Sequence, residues 1–359
     1  MMALYCQSDA VRIWDRGGVY MHMQTGRLLI ALGAFAISGW AQPSAAVSAP
    51  VTGFVFTTSG AIRPMFGVPG AAYLGDAIAG GLSAASVAPD GSAALAVQPS
   101  GKLVLNSGLR GAAPVALAVS GAIAAPDHFA WAPNTNAGSA NTAAAVYSSG
   151  TGQGQILTGL ATSPSAGPPI DLSGLPGPVT ALAFDGQRLI LGVASAGAGG
   201  IYLASASAGV QRIAPAASPS AIALAGSSLY FGDNQSQQIF QVQSYAGAPA
   251  ALVFANDSGI DSPAGLQVSA DGQRLFVANA GNRTLAVYDI ASRSPLQSLD
   301  LVFTPTRLDL FGDAAVFLMN GNGAGPLYVV RDGGAGKAAV FFVPSPGKPR
   351  TFRAPIRPI

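Results

Sequence analysis

From Pro178 onward the chain reads as short apolar runs cut by turn-forming residues. Over 263–302 the runs are Gly265 to Val268, Leu275 to Ala278, Leu285 to Tyr288 and Leu296 to Leu301. Each has the length of a strand, and Gly, Asn, Asp, Ser or Pro separates it from the next. Alternation within a run is visible in "TLAVYDI". Leu285, Val287 and Asp289 face one way, and Ala286, Tyr288 and Ile290 the other. Apolar residues stand on both faces, which predicts strands covered on both sides.

The four-run pattern repeats. "PVTALAFDGQRLILGV" begins at Pro178, "PSAIALAGSSLYFGDN" at Pro219, "PAGLQVSADGQRLFVAN" at Pro263 and "PTRLDLFGDAAVFLMN" at Pro305. The prolines are 41, 44 and 42 residues apart. A fixed period of roughly 40 to 45 residues marks a stacked or radial repeat. Asp185-Gly186 and Asp271-Gly272 fall between the first and second runs, and Gly312-Asp313 does so in reversed order. Asp-Gly suits a tight hairpin because both residues tolerate positive φ. "SAASVAPDGSAALAVQ", from Ser83, carries Asp90-Gly91 at the matching offset.

Units therefore begin near 83, 126, 178, 219, 263 and 305. The unit from 126 is the longest, and its excess, "NTNAGSANTAAAVYSSGTGQG", predicts an extended loop. Residues 51–80 hold further strands, "GFVFTT" and "AIRPMFG". These supply a seventh unit, which the C-terminal end could complete, closing a ring and removing exposed strand edges. The predicted fold is all-β: a seven-bladed β-propeller of four-stranded antiparallel blades over 42–343, with six blades as the alternative.

Composition sharpens this picture. Half of the 359 residues are apolar and only 9% are charged, against about 25% in an average soluble chain. All 16 acidic residues are Asp, and Lys occurs only at 102, 337 and 348. Helix surfaces favour Glu and Lys; their scarcity beside 46 Gly and 26 Pro points to strands and turns. A net charge of +2, with no basic run interleaved with aromatics, argues against a nucleic-acid partner.

The N-terminus reads as an address. In "MQTGRLLIALGAFAISGWAQ", residues 23–42, Arg27 precedes the apolar stretch Leu28 to Trp40, which is too short to span a bilayer comfortably. Gly39-Trp40-Ala41 places small residues at the −3 and −1 positions of a cleavage site. Residues 1–41 are thus expected to be a mis-started leader, with translation beginning at Met21 or Met23, followed by a signal peptide. The mature protein is expected to be exported, periplasmic, extracellular or on the cell surface. It would be a monomer without a membrane span. Cleavage after Ala41 removes Cys6 and His22, so no disulfide can form and His128 is the one remaining histidine.

"RLFVANAGNRTLAVYDI" resembles the repeat of YVTN-type β-propellers, with Phe276-Val277-Ala278-Asn279 standing where that family has Tyr-Val-Thr-Asn, and is loosely similar to the NHL repeat. The likeness is good over 263–302, fair over 178–262 and 305–343, and weak before 178. It implies a seven-bladed propeller, often secreted or on the cell surface, with no single shared activity.

The candidate chemistry is sparse. Metal hydrolysis needs clustered His, Asp or Glu, and the mature chain would offer a single His and no Glu. Sugar-lactone hydrolases on propellers resemble this architecture, but their metal or acid groups include Glu or paired His. No "CxxCH" is present for haem. A Ser-His-Asp triad would have to use His128, whose neighbour Asp127 is adjacent rather than brought up by folding; the simpler reading is a histidine at a loop or strand end.

One constellation remains. With the second runs registered on Leu189, Leu229, Leu275 and Val316, the residues four on are Val193, Asp233, Asn279 and Asn320, and the same offset counted from Asp90 gives Gln98. Several polar groups on one mouth would suit a small polar ligand or Ca²⁺, which prefers oxygen ligands. The competing reading is that Asp and Asn bond their own turns. No other cofactor is expected. The tail "PSPGKPRTFRAPIRPI", 344–359, leaves three readings open: an edge strand, a surface-binding tail, or a segment without order.

The expected function is non-catalytic binding of a protein, glycan or surface. The alternative is hydrolysis or lysis of a sugar derivative or lactone by Asp residues. Clustering of Asp233 with Asp185, Asp271 or Asp309 would favour that alternative.

Overall fold

The computed structural model describes residues 50–111, 113–133, 142–320, 326–334 and 337–344. Residues 1–41, expected to be a leader and a signal peptide, and the tail from 345 lie outside the described residues. Seven separate antiparallel sheets follow one another along the chain, and there is no helix among the described residues. The blades begin with Val51, Ala84, His128, Val179, Pro219, Pro263 and Asp309. The sequence-based starts hold to within a few residues, and seven blades replace the alternative of six.

Five blades are four-stranded meanders. In blade 3 the outermost position is shared by Ser165–Ala166 and Ile170–Asp171, which pair with opposite ends of Gln153–Thr158. Blade 1 has three strands, Val51–Thr57, Ala61–Phe66 and Tyr73–Leu74. One expectation is corrected. The stretch read as an extended loop, 134–154, contains one core strand of blade 3, Ala144–Ser148, and the start of the next, Gln153–Thr158. Its small residues hid them, because Ala144, Ala145 and Val146 carry little volume yet are fully buried.

Seven hydrophobic clusters hold the ring, and each spans two neighbouring sheets. Blades 2 and 3 share one around Leu95 and Val146. The series continues through blades 3/4, 4/5, 5/6 and 6/7. It closes with blades 7/1 and 1/2. The second strands of blades 2 to 6 are almost wholly buried because they are covered on both sides. Leu189–Val193 has no exposed position, while the outermost strand of blade 6, Pro295–Asp300, is largely exposed. Side-chain packing between blade faces, rather than a bond across the ends, joins blade 7 to blade 1 among the described residues.

Antiparallel order puts one set of turns on each face. The hairpin face carries the first-to-second and third-to-fourth turns. The crossover face carries the second-to-third turns and the connections between blades. The recurrent Asp-Gly pairs lie on the hairpin face. Gly186 and Gly272 have φ of 95° and 71°, conformations that suit glycine. Asp185 Oδ1 accepts the amides of Gln187 and Arg188, and Asp271 Oδ1 accepts that of Gln273.

The recurrent prolines mark contacts between blades. A Cβ on Gly232, in the second strand of blade 5, would sit 2.8 Å from Pro263 Cγ at the start of blade 6. Gly232→Ala is expected to cost about 1 to 3 kcal/mol through overpacking, readable as a lower urea midpoint. A bulge follows the start of the first strand in blades 4 and 5, at Thr180 and Ser220. Each hydroxyl then donates to the carbonyl of the next blade's proline, Pro219 and Pro263 respectively. Thr180→Val is expected to cost about 1 kcal/mol, with the m-value unchanged.

Candidate functional site

Of the candidate residues, Asp233 and Asn279 end the second strands Ser228–Asp233 and Arg274–Asn279. Antiparallel order places both ends on the crossover face. Val193 ends its strand in the same way and is fully buried. Gln98 follows Ala93–Val97 and is half-buried. Asn320 lies two residues beyond Asp313–Leu318, so its register is displaced. Asp233 and Asn279 thus share the ends of their second strands, while Asn320 stands off that register.

Their hydrogen bonds decide what they do there. Asp233 is buried. Its Oδ1 accepts the amides of Ser218 at 2.7 Å and Gln235 at 3.3 Å, and its Oδ2 accepts Ser236 Oγ at 2.9 Å. The carboxylate thus ties the turn after its own strand to the connection that enters the blade. Asn279 is fully buried and repeats the device: its Oδ1 accepts the amide of Asp261, and its Nδ2 donates to Thr284 Oγ1. Asn320 instead bridges its own turn, accepting from Tyr328 N and donating to the Pro326 carbonyl.

These oxygens are engaged by N–H and O–H donors within their own blades. A Ca²⁺ site wants the reverse, several oxygens turned toward one point. No group of three or more His, Cys, Asp or Glu could hold a metal among the described residues.

His128 begins the first strand of blade 3. Its Nδ1 lies 3.0 Å from Asp127 Oδ1, and its ring meets Tyr147 edge-on at 5.6 Å. Ser149 also binds Asp127, through its amide at 3.1 Å and its hydroxyl. The order is therefore Ser–Asp–His, with the carboxylate in the middle. A nucleophilic triad needs the hydroxyl on the imidazole, so this cluster is not one. Burial pushes the Asp127 carboxyl up, but the Ser149 and His128 hydrogen bonds outweigh it and hold the group below its ordinary value. Asp127 pins the second-to-third turn of blade 3 from the connection side, the mirror image of Asp233.

Asp185 and Asp271 lie on the hairpin face, opposite Asp233. Asp309 pairs with Arg307 at 2.8 Å. The acids named as a possible hydrolytic cluster are thus divided between the two faces and among separate turns. The sequence had a further signal in "DGQR". Arg188, three residues after Asp185, pairs with it at 2.9 Å and also donates to the Ala246 carbonyl in blade 5. Arg274, three after Asp271, reaches Asp332 in blade 7. The repeated tetrapeptide is a tie between blades.

Asp271 is held below its ordinary value by the Ser269 hydroxyl, then by the Gln273 amide and the Arg274 charge, against a small opposing effect of burial. A carboxyl depressed on folding stabilises above its unfolded pKa of about 3.9, and that contribution fades as pH falls through the lower folded value. Asp271→Asn is expected to flatten the acid limb of melting temperature against pH below about pH 4.

No family model matches this chain, and no curated protein matches it. Solved structures do. A Lactobacillus plantarum protein aligns with a TM-score of 0.61 at 15% identity, covering 81% of this chain and 96% of its own. A Bacteroides fragilis protein, whose 6-phosphogluconolactonase designation is itself provisional, aligns with a TM-score of 0.57 at 14% identity, covering 82% and 95%. The WD40 repeats of RRP9 align at 0.54 and 12%, covering 74% and 82%. The likeness is one of fold. Fold alone does not carry function, which lives in sites.

Two cavities formed by the described residues are small. One of 160 Å³ lies between blades 4 and 5 beside Arg188 and Tyr245, and one of 270 Å³ lies beside Val302 and Phe342. Ligand pockets usually hold about 300 to 1,000 Å³. No helix of the described residues is long and apolar enough to cross a membrane.

Proposed function

We propose that this protein is an exported, non-catalytic propeller of the YVTN type that binds a protein, glycan or surface through its loop-bearing faces. The observation that carries the reading is the state of the polar groups. Asp233, Asn279 and Asn320, on the crossover face, each bond their own turns and connections, and the acids named as a hydrolytic cluster do not converge among the described residues, as acid–base work would require. Small cavities suit surface recognition better than enclosure of a substrate.

A second reading has one supporting observation, the lactonase designation of the Bacteroides fragilis neighbour. In that reading Asp residues hydrolyse a sugar lactone. The two are separated by offering the purified chain δ-gluconolactone and 6-phosphogluconolactone, and in parallel a glycan array and isolated envelope polysaccharide. The binding reading expects lactone loss at the spontaneous rate together with saturable retention on a glycan or surface. Turnover above background that Asp233→Asn or Asp127→Asn abolishes would establish the hydrolase instead.

A further inference from the structure

Each outermost strand leaves one edge of its blade unpaired, and natural sheets blunt such edges with short strands, bulges, prolines or charges. Among the described residues, six blades do so. Tyr73–Leu74 in blade 1 has two residues, and Val115–Ala118 in blade 2 has four. Blade 3 divides its outer position between two pieces of two residues each. In blades 4, 5 and 6 the register to the third strand slips by one residue, at Ile213, Phe254 and Leu296. Arg212 and Asp300 add charge to the first and last of these strands. Ala338–Val343 in blade 7 has none of these devices. Its six residues, "AAVFFV", pair without a break and hold neither charge nor proline.

Hydrogen bonds fix which backbone groups of this strand face outward. The Gly333 amide donates to the Lys337 carbonyl, and from that pair bonded and open positions alternate along the hairpin. At the other end Tyr328 turns its carbonyl to Met319 and its N–H to Asn320, away from Phe342. Both observations point the N–H and C=O of Ala338, Val340 and Phe342 out of the blade. The Gln297 side chain of blade 6 takes both groups of Ala338, at 2.7 and 3.2 Å. The next outward position is Pro344, which has no N–H. Val340 and Phe342 are left, with no partner for their outward groups among the described residues.

The surface beside these two residues is apolar. Val302 is 86% exposed and Phe342 54%. With Phe303, Tyr328 and Val340 they line the 270 Å³ groove, which Asp300 also borders. Two open residues, two apart, are complementary to themselves. Antiparallel pairing about Phe341 would set Val340 of one copy against Phe342 of a second and satisfy every outward group of both. Opposed residues share a face, so the Phe342 ring of each copy would lie over the groove of the other. The same order would carry Lys337 of one copy toward the strand end where Asp300 of the other stands. The strands themselves are uncharged, so identical edges meet without repulsion.

We propose that Ala338–Val343 is a dimer interface, at which two copies of this chain pair edge to edge and antiparallel about a two-fold axis at Phe341. The monomer expected from the sequence is then the dilute form. Sedimentation velocity of the full chain over a dilution series tests this, and should show a monomer that becomes a dimer as concentration rises. Val340→Pro removes an outward N–H and keeps the bonds within the blade, as edge positions tolerate. It should raise the dimer dissociation constant at least about 10-fold. Phe342→Lys, which charges the edge, should do the same, and either variant serves if the other does not fold. With Cys6→Ser as background, Phe341→Cys should cross-link two copies on oxidation, because opposed Cβ atoms across such an edge lie about 4.5 to 5.5 Å apart.

A chain that stays monomeric across the series would overturn the proposal. So would a dimer that both variants leave intact and that Phe341→Cys does not cross-link, since its interface would lie elsewhere. Slow exchange of the Val340 and Phe342 amides in the monomer would also overturn it, because another segment of the same chain would then cover the edge.

Discussion

Phe276→Ala is expected to lower stability by about 4 kcal/mol, read as a fall in the denaturation midpoint. Phe276, in the second strand of blade 6, and Phe317, in the second strand of blade 7, are both fully buried, with ring centroids 4.9 Å apart. They belong to the cluster that joins these two blades, with Leu285, Val287 and Val330. Both backbones are fixed in sheets, so neither blade can close over the space left behind. The loss therefore includes a cavity as well as a transfer contribution. Phe276→Leu keeps much of the volume and should cost less than half as much. An equal loss from both substitutions would show that the site adjusts freely, contrary to tight packing between blade faces.

Arg274→Met is expected to cost about 3 kcal/mol, within the range for breaking a buried ion pair. Arg274 Nη2 lies 2.9 Å from Asp332 Oδ2 in blade 7 and 3.0 Å from Asp271 Oδ2 in its own turn. The Arg274 and Asp332 side chains are 11% and 8% exposed, whereas Asp271 is 43% exposed. Removing the guanidinium leaves the Asp332 carboxylate buried without its counter-charge, while Asp271 can turn to water. The double variant Arg274→Met with Asp332→Leu should recover part of the loss, because it removes both buried charges. Strictly additive losses in that cycle would show that the two groups do not interact.

Much of the fold was legible in the sequence because a propeller repeats its physical problem. Blades reuse the same devices: a proline or small residue where one meets the next, in several an Asp-Gly turn on the hairpin face, and a second strand apolar on both faces. They recur at Pro219 and Pro263, at Asp185 and Asp271, and at Leu189–Val193 and Arg274–Asn279. Blade 3 was obscured because Ala144 and Ala145 pack where larger residues stand in other blades.

The candidate site shows the complementary limit. A sequence offset places Asp233 and Asn279 on one face, but it cannot say whether their oxygens face a ligand or a neighbouring amide. Three-dimensional proximity of Ser218, Gln235 and Ser236 decides that for Asp233. The arginines of "DGQR" were missed for a related reason. Their partners, Ala246 and Asp332, lie 58 residues away in the chain.

The central claim is that seven sheets form one ring held by packing between neighbouring faces. Differential scanning calorimetry of the wild type, Phe276→Ala and a variant in a distant blade, Val146→Ala, tests it most directly. A single ring predicts one transition, with equal calorimetric and van't Hoff enthalpies, that both substitutions shift as a whole. Two resolved transitions, with Phe276→Ala moving one and Val146→Ala the other, would contradict it.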